Sequence, residues 1–194
     1  MKKVGITGQN GFVGKHLYNT LGILSEEFER VDFQKDFVDG TLGFEKAVAL
    51  DIKIAQRLKK AKENNETILF TMDTHQPNYL ETQEGKNLPV EHCIEESEGW
   101  KLYGETGKVI ENPIYIKKPT FGGLGLIEVL CPYSDEETEI EICGVVTNMC
   151  VISNAVICKA VLPEALITIN SQLCASFDDN LHDKAIHVME SMQM

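Results

Sequence analysis

Among the residues able to do chemistry, one thiol stands out by its surroundings. Cys150 lies in ICGVVTNMCVISNAVICKA, where an apolar run meets a turn of small and polar residues and then a helical pattern beginning at or near the sulfur. Free N–H groups and partial positive charge at a helix start stabilise a thiolate and equally hold an oxyanion. Cys143, within the run, and Cys158, two turns into the helix, read as ordinary buried thiols, the commonest fate of a cysteine. Lys118, in YIKKPTFGG, ends another apolar run and can aim its ammonium into a crevice, or simply be solvated there. Asp32 opens VDFQKDFVDG; a carboxylate beside a cysteine accepts its proton and passes it to a leaving amine. Asp36 and Asp39 follow too late and suit the turn. Asp73 and His75 form D-T-H, a spacing that puts both side chains on one side of a strand. The loop beyond adds Glu81, Glu84 and His92, and two imidazoles with one or two carboxylates suit zinc, iron or manganese. His16, His182 and His187 fall on helical patterns and read as surface or packing residues.

These residues need a frame to bring them together. Strand-like runs fall at Lys3–Thr7, Phe28–Phe33, Thr67–Met72, Ile114–Lys117, Glu139–Val146 and Ala165–Asn170. Helical patterns fall at Phe12–Leu24, Glu45–Glu63, Gly122–Leu130, Cys150–Ala160 and Asp178–Met192. Such alternation predicts an α/β fold of three layers, α/β/α, around a parallel sheet of five or six strands, with an N-terminal βα appendage. Ligands bind beyond the carboxyl ends of such strands. Asp32, Asp73, Lys118 and the Gly144–Cys150 turn all stand at those ends. The long irregular stretch Thr74–Glu111 has the length of a functional loop.

Composition narrows the function. The chain has 194 residues, 43% of them hydrophobic, enough for one sizeable core. With 18 Lys+Arg against 30 Asp+Glu, the net charge is −12, which disfavours nucleic acid and anionic membrane as partners. No stretch reaches the ~18 apolar residues of a membrane span, and the first residues lack the pattern of a signal peptide. Six cysteines without a CxxC pair indicate a reducing, cytoplasmic setting.

From about Val31 to Met194 the chain resembles the isochorismatase-like cysteine hydrolases, most closely their nicotinamidase branch. The pieces that carry the likeness are VDFQKDFVDGTLG, FTMDTHQPNYLETQEGKNLPVEHC, YIKKPTFGG and CGVVTNMCVISNA, in the family's order and spacing. The resemblance implies a catalytic triad of Asp32, Lys118 and Cys150. It implies a divalent-metal site, zinc first with iron or manganese as alternatives, from Asp73, His75 and His92 with Glu84 as a fourth ligand. In nicotinamidases that metal holds the pyridine nitrogen and ordered water. A cis peptide at Val145–Val146, an oxyanion hole from the N–H groups of Val146 and Cys150, and pocket aromatics Phe37 and Phe121 follow from the same likeness. The implied activity is hydrolysis of a small amide, nicotinamide first, through a Cys150 thioester. Other small-amide, ureido or isochorismatase-type substrates are the alternatives. The expected partners are that substrate and further copies of the chain. Two departures are visible: Lys35 replaces the usual asparagine, and Leu88–Pro89 stand where an aromatic usually precedes the metal-binding histidine.

The start of the chain resembles something else. KVGITGQNGFVGKHLYNTLG carries the TGxxGxxG fingerprint of an extended short-chain dehydrogenase, with Gly8, Gly11 and Gly14 placed to cradle a pyrophosphate. In that reading Asp32 would bind a ribose, and the chain would be a nucleotide-binding module without hydrolysis. The likeness ends there: none of Tyr18, Tyr79, Tyr103, Tyr115 or Tyr133 is followed four residues later by the lysine that motif needs. The expected organisation is a Rossmann-like βα fragment over 1–30, joined near Glu29–Val31 to a hydrolase domain over 31–194. The first hydrolase strand then reads SEEFERV, whose charges predict a strand shortened to about Phe28, or its replacement by Lys3–Thr7.

Overall fold

Thr67–Asp73 is apolar on both sides, and every residue from Ile68 to Asp73 is buried, as a central strand of a parallel sheet requires. A computed structural model describes residues 26–134 and 137–194. The Lys3–Thr7 strand, the Phe12–Leu24 helix and the Gly8–Gly11–Gly14 fingerprint lie outside the described residues.

Five parallel strands are described: β1 (Glu26–Asp32), β2 (Thr67–Asp73), β3 (Ile114–Lys118), β4 (Thr138–Val145) and β5 (Leu166–Ala175), in the spatial order β3-β2-β1-β4-β5. The four principal helices are α1 (Asp51–Glu63), α2 (Gly125–Leu130), α3 (Ile152–Val161) and α4 (Asp179–Ser191). The β1-to-β2 and β2-to-β3 crossovers run one way across the sheet, and those from β3 to β4 and β4 to β5 the other way. Right-handed connection therefore sends α1 to one face, and α2 and α3 to the other. The strand order reverses between β1 and β4, the crevice where ligands bind in such sheets.

The first strand departs from expectation. It is not shortened: its backbone runs from Glu26 and pairs with β2 on one side and β4 on the other. Glu29 and Arg30 find partners instead. On the α1 face, Arg57 meets Glu29 at 2.5 Å, Glu66 at 2.8 Å and Glu141 at 3.3 Å. Burial, followed by the nearby Glu141 carboxylate, pushes the Glu29 carboxyl up to about 9 despite that guanidinium. One cation among three carboxylates leaves the most buried of them protonated. On the opposite face, Arg30 is fully buried and bonds Thr71 and Asp32.

Two other elements differ from the sequence pattern. The Glu45–Glu63 helix is broken into Glu45–Val48 and α1, and at the break Asp51 accepts the N–H groups of Glu105 and Thr106, both at 2.9 Å. Beyond it, Ile54, Ala55, Leu58 and Ala61 form the buried stripe of an amphipathic helix. Strand β5 continues past Asn170 to Ala175, across a register shift opposite Ile142 and Gly144 that hides the alternation in Ser171–Gln172. The start of α4 is as its sequence predicts, with Asp178 accepting the N–H groups of Asn180 and Leu181. No described helix is long and apolar enough to cross a membrane.

Candidate active site

Asp32 is the last residue of β1 and Lys118 the last of β3; Cys150 lies in the turn that follows β4. Their side chains converge. The Lys118 ammonium is 3.3 Å from the Cys150 sulfur and 3.3 Å from Asp32 Oδ2. All three are buried, Cys150 at 2% exposure and the other two at 0%. Asp32 Oδ1 has no hydrogen-bond partner and is the oxygen left to take a proton. Gly144 stands opposite Asp32 at φ +114°, and a Cβ there would lie 2.3 Å from the Asp32 carbonyl oxygen. Only glycine lets β4 pass this close to the carboxylate-bearing backbone.

The local fold around the thiol is wider than an α-helix start. Thr147–Val151 forms a π-helical turn, and the α-helix begins at Ile152, two residues later than the sequence pattern places it. The peptide bond Val145–Val146 is cis, at the position the family resemblance implies. Val146 and Cys150 flank this turn as its extended cap and its fourth residue.

Charge in this pocket is finely set. Burial pushes the Cys150 thiol up to about 12, against the pull of Lys118. Burial likewise raises Asp32, opposed by Lys118 and then Arg30. Burial disfavours the Lys118 ammonium, but Asp32, Cys150 and Asp73 together overcome it and hold the proton tightly. In the resting state the ammonium faces a carboxylate and a thiol, and the thiol ionises when its proton has somewhere to go.

The D-T-H pair lies one strand over. Asp73, His75, Glu84 and His92 each offer a ligand atom, all within 4.8 Å of one another. His75 Nε2 is 3.4 Å from Asp73 Oδ1 and 3.8 Å from Glu84, and His92 Nε2 is 3.6 Å from Asp73 Oδ2. A tetrahedral ion with bonds of about 2.0–2.2 Å spaces its ligands by about 3.3–3.6 Å, so the set is nearly closed around an ion-sized gap. Asp73 Oδ1 and His75 Nε2 are buried without hydrogen-bond partners, the signature expected of ligand atoms. The Nδ1 of His92 faces the Val90 carbonyl at 2.8 Å, which leaves its Nε2 for a metal. Burial raises the Asp73 carboxyl, but Lys118 and the two imidazoles outweigh it and hold it well below the usual range. Glu81 is exposed and outside the cluster.

Of the two aromatics, Phe37 is buried edge-on against His92 at 5.5 Å, while Phe121 is 41% exposed. Tyr79 supplies a further ring against both imidazoles, at 4.5 Å from His75 and 4.9 Å from His92. Asp36 serves a turn, accepting the Cys93 N–H at 2.7 Å.

Several residues that organise the site had no chemical signal of their own. Gln34 donates to the carbonyls of Asp73 and Trp100 and accepts the Asp73 N–H, tying β1 to the metal strand. Asn154 donates to the carbonyls of Cys150 and Phe121 and accepts the Gly123 N–H, locking the aromatic loop to the nucleophile turn. Arg30 and Thr71 both bond Asp32. The buried position of Gln34 and Asn154 inside otherwise apolar or helical stretches is the one clue the sequence offers.

Known structures share this arrangement of strands. A pyrazinamidase of Pyrococcus horikoshii in complex with zinc superposes with a TM-score of 0.74 at 21% identity, covering 88% of this chain and 97% of that one. A pyrazinamidase/nicotinamidase from Streptococcus mutans gives 0.75 at 23% identity, covering 87% and 97%. An N-carbamoylsarcosine amidase from Thermoplasma acidophilum gives 0.65 at 16% identity, covering 86% and 94%. Among curated proteins no sequence matches. The isochorismatase domain, in contrast, matches residues 30–194, which takes in the last three residues of β1, all of β2 to β5 and every residue of the site. With a thiol, an ammonium and a carboxylate gathered at the strand ends, and that match over most of its length, the chain belongs to the isochorismatase family.

Proposed function

We propose that this protein is a metal-assisted cysteine amidohydrolase, with nicotinamide as its substrate, nicotinate and ammonia as its products, and zinc as its metal. The observation that carries the reading is the contact of Lys118 with both Cys150 and Asp32, one strand from the Asp73–His75–Glu84–His92 cluster. Asp32 takes the thiol proton, and Lys118 compensates the charge left on sulfur. The thiolate attacks the amide carbonyl, and the N–H groups of Val146 and Cys150 receive the developing oxyanion, each worth on the order of 3 kcal/mol. Asp32 then returns the proton to the leaving nitrogen, which departs as ammonia. Water, deprotonated by Asp32, opens the thioester and regenerates the thiol. A divalent ion bound by Asp73, His75, Glu84 and His92 supplies Lewis acidity and an anchor for a ring nitrogen or for water. Phe37 and Phe121 stand at the substrate end of this arrangement, and the active unit is a homo-oligomer in the cytoplasm.

A second reading has an observation of its own. Leu88 and Pro89 stand in the sequence where the family resemblance puts a ring-stacking aromatic. That favours a small carbamoyl or ureido substrate, the chemistry named for the Thermoplasma acidophilum relative. Purified zinc-loaded protein is to be assayed for ammonia release from nicotinamide, pyrazinamide and N-carbamoyl amino acids, alongside Cys150→Ala. Release from nicotinamide, abolished in Cys150→Ala, supports the first reading. Release from the carbamoyl compounds alone replaces it with the second, and release from none refutes both.

A further inference from the structure

A central strand of a parallel sheet has no ordinary use for an arginine, yet Arg30 is fully buried in β1, two residues before Asp32 and on the same side of the strand. Its partners are few. Nη2 donates to Thr71 Oγ1 at 2.5 Å and lies 3.3 Å from Asp32 Oδ2, while Nε and Nη1 have no partner. Thr71 in turn donates its hydroxyl to the same Oδ2 at 3.3 Å. With Lys118, three donors therefore converge on one carboxylate oxygen and leave the other, Oδ1, untouched. Among the described residues no other anion is paired with Arg30. The thiols of Cys143 in β4, Cys158 in α3 and Cys174 in β5 feel its charge, but burial pushes all three up, Cys158 to about 11 and Cys174 to about 12, so they stay neutral. A buried arginine left half satisfied weakens a fold. What it does gain is position against the proton acceptor.

We propose that Arg30 is a positioning residue for the Asp32–Cys150 pair: it fixes Oδ2 so that Oδ1 alone exchanges the thiol proton, and it is a second buried cation beside the negative charge the pair shares. The charges facing the pair are Arg30 from β1, Asp73 from β2, Lys118 from β3 and Cys150 from its turn. Asp73 is matched by its own cluster. Asp32 and Cys150 share one negative charge, on the carboxylate before transfer and on the sulfur once Oδ1 holds the proton, and Lys118 and Arg30 face it. Removing Arg30 frees the Asp32 carboxyl to turn and takes one of two cations from a dry pocket.

This inference rests on Cys150 being the nucleophile of the proposed hydrolase, and its test is chosen to be read without the substrate. Full-length wild type, Arg30→Met and Arg30→Lys are treated with iodoacetamide across a pH series. Carboxamidomethylation is followed at Cys150 by peptide mass spectrometry, with exposed Cys131 as the control in the same digest. Arg30→Met is expected to slow Cys150 alkylation about tenfold at neutral pH and to move its midpoint up by about one pH unit, with Cys131 unchanged. Arg30→Lys restores most of the rate. In the amide assay kcat falls by a similar factor while KM stays within about twofold, since Arg30 does not reach the substrate. The melting temperature of Arg30→Met stays level or rises. An unchanged alkylation profile in Arg30→Met overturns the proposal, as does a slowing that Arg30→Lys does not relieve. If wild type hydrolyses no amide yet its Cys150 reacts in an Arg30-dependent way, the amide reading fails and the role of Arg30 stands.

Discussion

Lys118→Met replaces an ammonium by an apolar chain of similar length and removes its support of the Cys150 thiolate together with its contacts to Asp32 and Asp73. At the 3.3 Å separating Nζ from the Cys150 sulfur, two unit charges attract by about 5 kcal/mol in an effective dielectric of about 20. Relaxation and water entry recover part of this, so a loss of roughly 3–5 kcal/mol in transition-state stabilisation is expected, or about two to four orders of magnitude in kcat/KM. The loss falls on kcat, because the lysine meets Cys150 and Asp32, the proposed nucleophile and base. The pH dependence has a definite sign. Burial already holds the thiol up at about 12, and without the ammonium it moves higher, so residual activity should keep climbing through the alkaline range. The assay is steady-state ammonia release, with zinc content and melting temperature measured on the same preparations. A Lys118→Met protein within tenfold of wild type, folded and metal-loaded, would refute the electrostatic account of the site.

Two further outcomes follow from the same geometry. His75→Ala removes one of the four candidate metal ligands and should reduce bound zinc from one equivalent to well below it in a dialysed sample; retention of a full equivalent, measured by mass spectrometry of the metal, would disprove the cluster. Glu29→Gln tests the ionic layer on the other face. The Glu29 carboxyl is raised from its ordinary value of 4.5 to about 9, so the folded chain holds a proton the unfolded chain gives up, and stability contributed by Glu29 is lost as pH rises through that window. The glutamine should flatten urea-melt stability between about pH 5 and 9, gaining on the order of 1–3 kcal/mol at the alkaline end relative to wild type. An unaltered slope would mean that Arg57 keeps the carboxylate ionised.

Much of the site was legible because each of its reactive residues ends a recognisable apolar run. Asp32, Asp73 and Lys118 close their strands as the pattern indicated, and the crevice forms where the strand order reverses. The charges of β1 misled for a physical reason. Glu29 and Arg30 look unfit for a central strand, but their partners Arg57 and Thr71 come from other elements, and no local pattern announces a compensating group at long range. The same distance hid Gln34 and Asn154, whose roles are bonds to backbone far along the chain. The continuation of β5 was masked by a register irregularity, and the late start of α3 by a wide turn that no residue type specifies.

The chemistry of this molecule is owned by no segment of it. The acid, the metal ligand, the ammonium and the sulfur arrive on β1, β2, β3 and the turn after β4, and the first three touch only when those three strands lie side by side. No excised peptide and no half-assembled intermediate can turn over substrate. During refolding, then, restored catalysis should lag behind helix recovery and coincide with the last strand to dock, making turnover a stringent clock for completion of the sheet.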